Sequence, residues 1–372
     1  MSNGAIMEMS LDKVNNISEV FDSYIQNGVN IGAQLVVMKH GQIILERYGG
    51  YADIRKKYLV SPKTRFLTFS ISKSFISACV FKLIEDNLVD LQGSVADYWP
   101  EFGTRGKDSI KVRHVLLHQA GLPKRGMISQ FLHLSNWERL TKNLANMELE
   151  YKPGEKTAYH TFNYGYILGE LIRKVTGLPV EAYLQREFLD PLGLVNTSLK
   201  ASGRAEKSYA RLYSGTFGYQ FIALLFNSPV VREAVIPAAS LQSTAFDLAI
   251  FFQMLLNEGN FGGHQFLRPE TVQLATSLGY EGFDQGLGRI TRWGYGFFLG
   301  GVHTLDPYYP DGMGKGSTLD TFGHYGTRTS VAYADNRTGM VVVFLCNQFL
   351  SSIEYKERLR KISDAVWDTV GD

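Results

Sequence analysis

The chain has 372 residues, 45% of them apolar and 20% charged, enough for one large or two closely packed domains around a real hydrophobic core. Its 38 basic and 36 acidic residues leave a formal charge of +2, and no run of Lys and Arg reads as a nucleic-acid or anionic-membrane footprint. Cys79 and Cys346 sit in apolar surroundings and read as small core residues, not as a disulfide framework or a metal site.

The first residues lack a basic segment followed by an apolar one, so no secretory signal is read and a cytoplasmic protein is the expectation. Residues 11–26 carry apolar side chains at helical spacing and stop before Asn27-Gly28. Residues 33–38 and 43–48, joined by the turn at 39–42, read as a β-hairpin. The pattern turns helical over residues 70–87, and further helices are predicted at 164–176, 180–188 and 244–257. The apolar stretch 217–231 is too short and too mixed to span a bilayer. Strands return at 294–299, 329–334 and 339–345, and an amphipathic helix over 353–370 closes the chain. Residues 203–211 and 279–292 read as mobile, lid-like loops. Strands at both ends with helices between them predict an α/β chain. A sheet domain built from residues 1–65 and 285–372 would enclose a mainly helical domain over 66–284, with the active site between them.

Three segments carry groups suited to chemistry. In Ser70-Ile71-Ser72-Lys73 the serine and lysine lie three apart and share a helix face. A partly desolvated lysine there can help remove the serine proton. The spacing is weak alone, because Ser10-Leu11-Asp12-Lys13 repeats it on a plain surface helix. Tyr159-His160-Thr161-Phe162-Asn163-Tyr164 follows the loop Lys152-Pro153-Gly154-Glu155. A tyrosine so placed can point its phenol into a cleft, where neighbouring ammonium groups lower its pKa for proton shuttling. An aromatic staple over a helix start is the commoner use of such a residue. Phe322-Gly323-His324-Tyr325-Gly326-Thr327 precedes an apolar strand. Its glycines admit close approach of a substrate, and a strand N–H can serve an oxyanion.

In this order the three motifs resemble the serine β-lactamase superfamily of class C β-lactamases, DD-peptidases and esterases. That family carries S-x-x-K, a Y-x-N, and K-T-G or its relatives H-x-G and W-G-G. The segment Val112-Arg113-His114-Val115-Leu116-Leu117-His118-Gln119-Ala120-Gly121-Leu122-Pro123 is similar to the family's R-H-L-L-x-H-x-S-G-L-P. Gly169-Glu170-Leu171-Ile172 and Ser243-Thr244-Ala245-Phe246-Asp247 match as well.

The resemblance implies a β-lactamase/transpeptidase-like fold, an antiparallel sheet flanked by helices. It also implies attack by Ser70 on an acyl carbonyl, proton transfer by Lys73 and Tyr159, and an oxyanion hole from the N–H groups of Ser70 and Thr327. His324, Tyr325, Gly326, His160 and Asn163 would line the substrate. No metal or organic cofactor is needed, and the expected partner is a small acyl substrate rather than nucleic acid or membrane. Two departures bear on that substrate. Thr161 stands where Y-x-N has its asparagine, and the Y-H-x-x-x-x-G-Y form is similar to family VIII carboxylesterases. His324 replaces a permanently cationic lysine with a residue mostly neutral at pH 7. Both point to a small ester, with a β-lactam or D-amino-acid amide as the rival substrate. A non-catalytic binding protein of the same fold is the alternative of another class, and the intact Ser70, Lys73 and Tyr159 argue against it.

Overall fold

Burial alternates along the strand Met340–Cys346. Val341, Val343 and Leu345 enter the core on one face, while Val342, Phe344 and Cys346 enter the core on the other. That strand is central in a nine-stranded antiparallel sheet. The spatial order is Tyr58–Leu59, Gln42–Asp53, Gly32–Lys39, Met340–Cys346, Ser330–Asp335, Thr321–Gly326, Phe297–Leu299, Arg289–Gly294 and Tyr280–Asp284. The computed structural model describes residues 11–122, 136–201, 208–306 and 311–370.

The helices Leu11–Gln26 and Ser352–Trp367 pack together over one face, with Phe21 edge-on to Phe344 at 6.5 Å. Ala245–Leu256 crosses the other face over the strands Gly32–Lys39, Ser330–Asp335 and Met340–Cys346. Behind it Phe75 of the helix Ser72–Glu85 stacks on Phe251 at 3.7 Å. Trp137–Asn146, Asn163–Thr176 and Val180–Leu184 complete this helical layer. Each fully buried Phe or Leu contributes about 1.5–3 kcal/mol, so both layers are strongly held to the sheet. Cys79 and Cys346 are buried free thiols. Among the described residues no helix is long and apolar enough to cross a membrane.

The structure corrects several local expectations. Residues 279–292 are not a lid: Tyr280–Asp284 and Arg289–Gly294 form an antiparallel edge hairpin, so the sheet begins ahead of the boundary expected at 285. Residues 294–299 are not one strand, because Gly296 at φ +91° turns the chain between Arg289–Gly294 and Phe297–Leu299. Of the second expected lid, residues 203–207 lie outside the described residues; Tyr209 is buried and bridges Arg65. Ser10 and Pro123 also lie outside them. The stretch 180–188 changes from α to π geometry at Gln185.

Candidate active site

The Ser70 segment is delivered by a short strand. Phe66–Leu67 pairs with Gln242–Ser243, and the Thr68 N–H continues the pairing to the Leu241 carbonyl at 2.9 Å. Phe69 then takes φ +50°, a left-handed value uncommon for a bulky side chain. Its ring is clamped by Phe226 at 5.2 Å and Phe349 at 5.4 Å. Ser70 follows in a 3-10 turn, Phe69–Ile71, and the α-helix starts only at Ser72. The sequence placed Ser70 at the helix start; the tighter turn intervenes because the Ser72 hydroxyl bonds the Phe69 carbonyl and accepts the Leu241 N–H. Backbone strain held one residue ahead of a buried hydroxyl is characteristic of functional sites.

Lys73 is fully buried. Its Nζ lies 3.0 Å from Ser70 Oγ, 3.0 Å from the Thr161 carbonyl and 3.1 Å from the Ala238 carbonyl. Among the described residues no carboxylate accompanies these three contacts, and burial holds the amine well below the ordinary lysine range. The Ala238 carbonyl reaches Lys73 because Gly165 lets the helix Asn163–Thr176 close in: a Cβ at 165 would stand 2.3 Å from the Ala238 nitrogen.

Tyr159 sits against the same lysine, its ring centroid 4.8 Å from Nζ and its hydroxyl paired with Ser70. Burial pushes its phenol up. This reverses the sequence expectation of a lowered pKa, because the residue is enclosed and the amine beside it is desolvated. The backbone around Tyr159 is held at three successive amides. Ala158 N–H bonds the His118 carbonyl at 2.9 Å, Tyr159 N–H bonds Asp284 Oδ1 at 3.0 Å, and His160 N–H bonds His118 Nδ1 at 3.2 Å.

Asp284 is fully buried at the hairpin tip. Its Oδ1 also accepts the Gly286 and Leu287 N–H groups, and Oδ2 accepts Trp293 Nε1–H at 3.1 Å. It therefore ties the sheet edge to the tyrosine segment. His118 does the same from the helical side, at φ +59°, with its ring 4.6 Å from Tyr159 and 4.5 Å from Trp293.

Three neutral imidazoles surround the pair. Burial pushes His160 down to about 4, His324 down to about 3, and His118 well below its usual value. His324 Nδ1 donates to the Tyr325 carbonyl at 2.9 Å, which leaves Nε2 as a lone-pair acceptor. His118 Nδ1 accepts, so its Nε2 carries the proton. These two Nε2 atoms and both ring nitrogens of His160 are buried without a hydrogen-bond partner among the described residues, and such groups call for a water or a ligand.

The third motif is only partly brought together. His324 faces Tyr159, with ring centroids 6.4 Å apart. Gly326 lies where a Cβ would meet the Thr68 carbonyl at 2.6 Å, so the strand end presses directly on the Ser70 turn. Tyr325 projects to the opposite face of the sheet, where its hydroxyl bonds Asp311 at 2.9 Å, and is not brought to Ser70. Thr327 stands exposed just past the strand. Asn163 is buried as the first residue of its helix.

Sequence reasoning missed Asp284, the role of His118, and Arg358. The Arg358 guanidinium is fully buried and donates to the Arg328 and Thr329 carbonyls at 3.1 Å and to Asn30 at 2.8 Å, bracing the turn that contains Thr327. A cleft of about 680 Å³ on the helical flank, between Trp137, Arg173, Pro179, Glu181, Val230 and Glu233, includes none of the motif residues.

The beta-lactamase family profile matches residues 18–366. The chain is 28% identical over 352 residues to "Esterase/beta-lactamase LipL" of Mycobacterium tuberculosis, covering 87% of this chain and 78% of that protein. A penicillin-binding protein homologue from Caulobacter crescentus superposes with a TM-score of 0.81 at 26% identity, over 98% of this chain and 99% of the other. A family VIII carboxylesterase superposes with a TM-score of 0.82 at 24% identity, over 96% and 98%, a likeness of fold.

Proposed function

The chain belongs to the beta-lactamase family, and from that premise we propose that it hydrolyses small carboxylic esters through an acyl-enzyme on Ser70. The observation that carries the reading is the surroundings of Lys73 Nζ. A neutral amine has two N–H groups and one lone pair. Nζ donates to three acceptors, Ser70 Oγ and the Thr161 and Ala238 carbonyls. Once the ammonium, disfavoured by burial, gives up a proton, the carbonyls keep the two N–H groups and the lone pair is left for Ser70 Oγ. Lys73 is thus arranged as the base and Ser70 as the proton donor.

Ser70 Oγ attacks the ester carbonyl carbon while its proton passes to Lys73. The resulting ammonium is received by the same two carbonyls and by the face of Tyr159. The carbonyl oxygen takes the negative charge, held by the N–H groups of Ser70 and Thr327. When the intermediate collapses, the C–O bond to the alcohol breaks. The neutral Tyr159 hydroxyl gives its proton to the leaving oxygen and is restored from Lys73. Water repeats the sequence on the acyl-enzyme and releases the acid.

Neutral His324 in the third motif favours an uncharged acyl group over a carboxylate-bearing lactam. The name of the Mycobacterium relative covers both activities, so the test runs both substrates. Short p-nitrophenyl esters, nitrocefin and a D-alanyl peptide are assayed in parallel with the parent, Ser70→Ala and Lys73→Met. Ester turnover that vanishes in both variants, with fluorophosphonate labelling at Ser70, supports the reading. Faster turnover of nitrocefin moves the assignment to the lactam. Equal ester turnover by Ser70→Ala removes the serine mechanism.

A further inference from the structure

The helix Phe217–Asn227, of sequence FGYQFIALLFN, contains no charged residue. Its inner side belongs to the wall of the site. Phe226 meets Phe69, the residue ahead of Ser70, at 5.2 Å, and Tyr219 meets Phe349 at 5.3 Å beneath the Arg328 guanidinium at 4.2 Å. Its outer side has no cover among the described residues. Phe217 is 90% exposed, Phe221 70% and Leu224 61%, and their spacing puts them on one stripe. Water-facing aromatic and aliphatic groups in such a row mark an interaction surface rather than a core.

A cationic loop is tied to the strand that leads into this helix. The strand Tyr213–Ser214 leads into the helix, and the Tyr213 hydroxyl accepts the Ile54 N–H at 2.9 Å and donates to Asp53 at 3.1 Å. Beyond that tie, Ile54, Arg55, Lys56 and Lys57 are all exposed, and Leu59 follows at 68% exposure. Apolar side chains beside a row of cations fit the boundary between headgroups and acyl chains of an anionic lipid layer. A second copy of this chain seated on the stripe would instead bring like-charged loops together.

We propose that this face docks the protein onto an anionic lipid surface with the mouth of the site toward the lipid, and that its esters are lipid-soluble ones taken from that layer. The second clause rests on the ester-hydrolase reading above; the first does not. Chain composition showed no membrane footprint, because this loop carries only Arg55, Lys56 and Lys57 and its tie to the segment ahead of the helix is made by the fold.

The experiment is flotation of the full chain, as Ser70→Ala, with vesicles of phosphatidylcholine alone or mixed with phosphatidylglycerol. Binding to the anionic vesicles that weakens with salt is expected. Joint replacement Phe217→Ser, Phe221→Ser and Leu224→Ser should lower partitioning by about tenfold or more. In active protein the triple variant should keep its rate on soluble p-nitrophenyl acetate and lose rate on an emulsified short-chain ester such as tributyrin. Lys56→Glu with Lys57→Glu should remove only the preference for anionic lipid. Failure to float with anionic vesicles, or unchanged flotation of the triple variant, overturns the docking surface. So does a dimer that the triple variant dissociates. Absence of Ser70-dependent turnover on p-nitrophenyl acetate overturns the ester reading, while flotation alone decides the docking.

Discussion

Asp284→Asn tests whether the tyrosine is positioned from the sheet edge. Asp284 Oδ1 accepts three N–H groups, from Tyr159, Gly286 and Leu287, and Oδ2 accepts the Trp293 indole. Hydrogen bonds to a charged acceptor are worth about 1.5–3 kcal/mol against about 0.5–1.5 for neutral ones, so each of the four contacts weakens by roughly 1 kcal/mol. The new amide N–H also faces the indole N–H, leaving a buried donor unmet at about 1–3 kcal/mol. Because the contacts are coupled, the expected loss of stability is about 3–5 kcal/mol rather than the full sum. Only one of the four contacts reaches Tyr159, yet the phenol must stay within bonding distance of Ser70. Well below the variant's melting temperature kcat should fall at least about tenfold, with KM changed less than about threefold. Asp335→Asn is the control: that carboxylate is equally buried in the same sheet but bonds Thr321 and Thr338, far along the strand from the site. It should lose stability and keep kcat. Urea unfolding gives the first quantity and steady-state ester kinetics the second. Equal kcat in the parent and Asp284→Asn, or an equal loss in both variants, would refute the positioning role.

The buried imidazoles predict a pH dependence of stability. Unfolded histidine titrates near about 6.5, whereas folded His160 and His324 titrate at about 4 and about 3. Between those values the unfolded chain binds more protons, so stability is full above about 6.5 and falls as pH drops toward 4. From pH 7 to pH 5 each of the two should account for about 2 kcal/mol, and the double variant His160→Gln, His324→Gln should make the curve measured by urea unfolding shallower by their sum, leaving the part owed to His114 and His118. A curve as steep in the double variant would locate the titrating groups elsewhere. Gly165→Ala places a methyl 2.3 Å from the Ala238 nitrogen. It should cost about 1–3 kcal/mol by overpacking despite alanine's better helix propensity, and should lower kcat by moving a carbonyl away from Lys73. Destabilisation with kcat unchanged would argue against that carbonyl's part in holding the amine.

What the sequence made legible was local. Ser70 and Lys73 share a turn, and Tyr159 and His324 announce themselves by their glycine-rich and aromatic surroundings in the expected chain order. The sheet could be read from the alternation and apolar runs at the two ends of the chain. Asp284 was hidden because its partner Tyr159 is 125 residues away and because a stretch rich in glycine reads as a loop. His118 lay inside a matched segment, but its place here depends on a left-handed backbone that puts its carbonyl and Nδ1 on the amides either side of Tyr159, those of Ala158 and His160. The sign of the Tyr159 shift differs from the expectation for a third reason: the family resemblance implies that Tyr159 lies near Lys73, and it does not disclose the burial of both groups.

That sign changes the chemistry assigned to the pair. A lowered phenol beside an ammonium would make Tyr159 the base and Lys73 its electrostatic support. With both groups desolvated, the less costly arrangement is the uncharged one, phenol and free amine. In the mechanism proposed above, the amine, 3.0 Å from Ser70 Oγ, then takes the serine proton and the phenol donates. Thr161 enters the same account through its backbone alone: its carbonyl accepts from Lys73 Nζ at 3.0 Å, a contact independent of the side chain at that position. The departure from asparagine therefore bears on the proposed substrate, while the carbonyl beside it belongs to the acceptor pair on which the proposed role of Lys73 as the base rests.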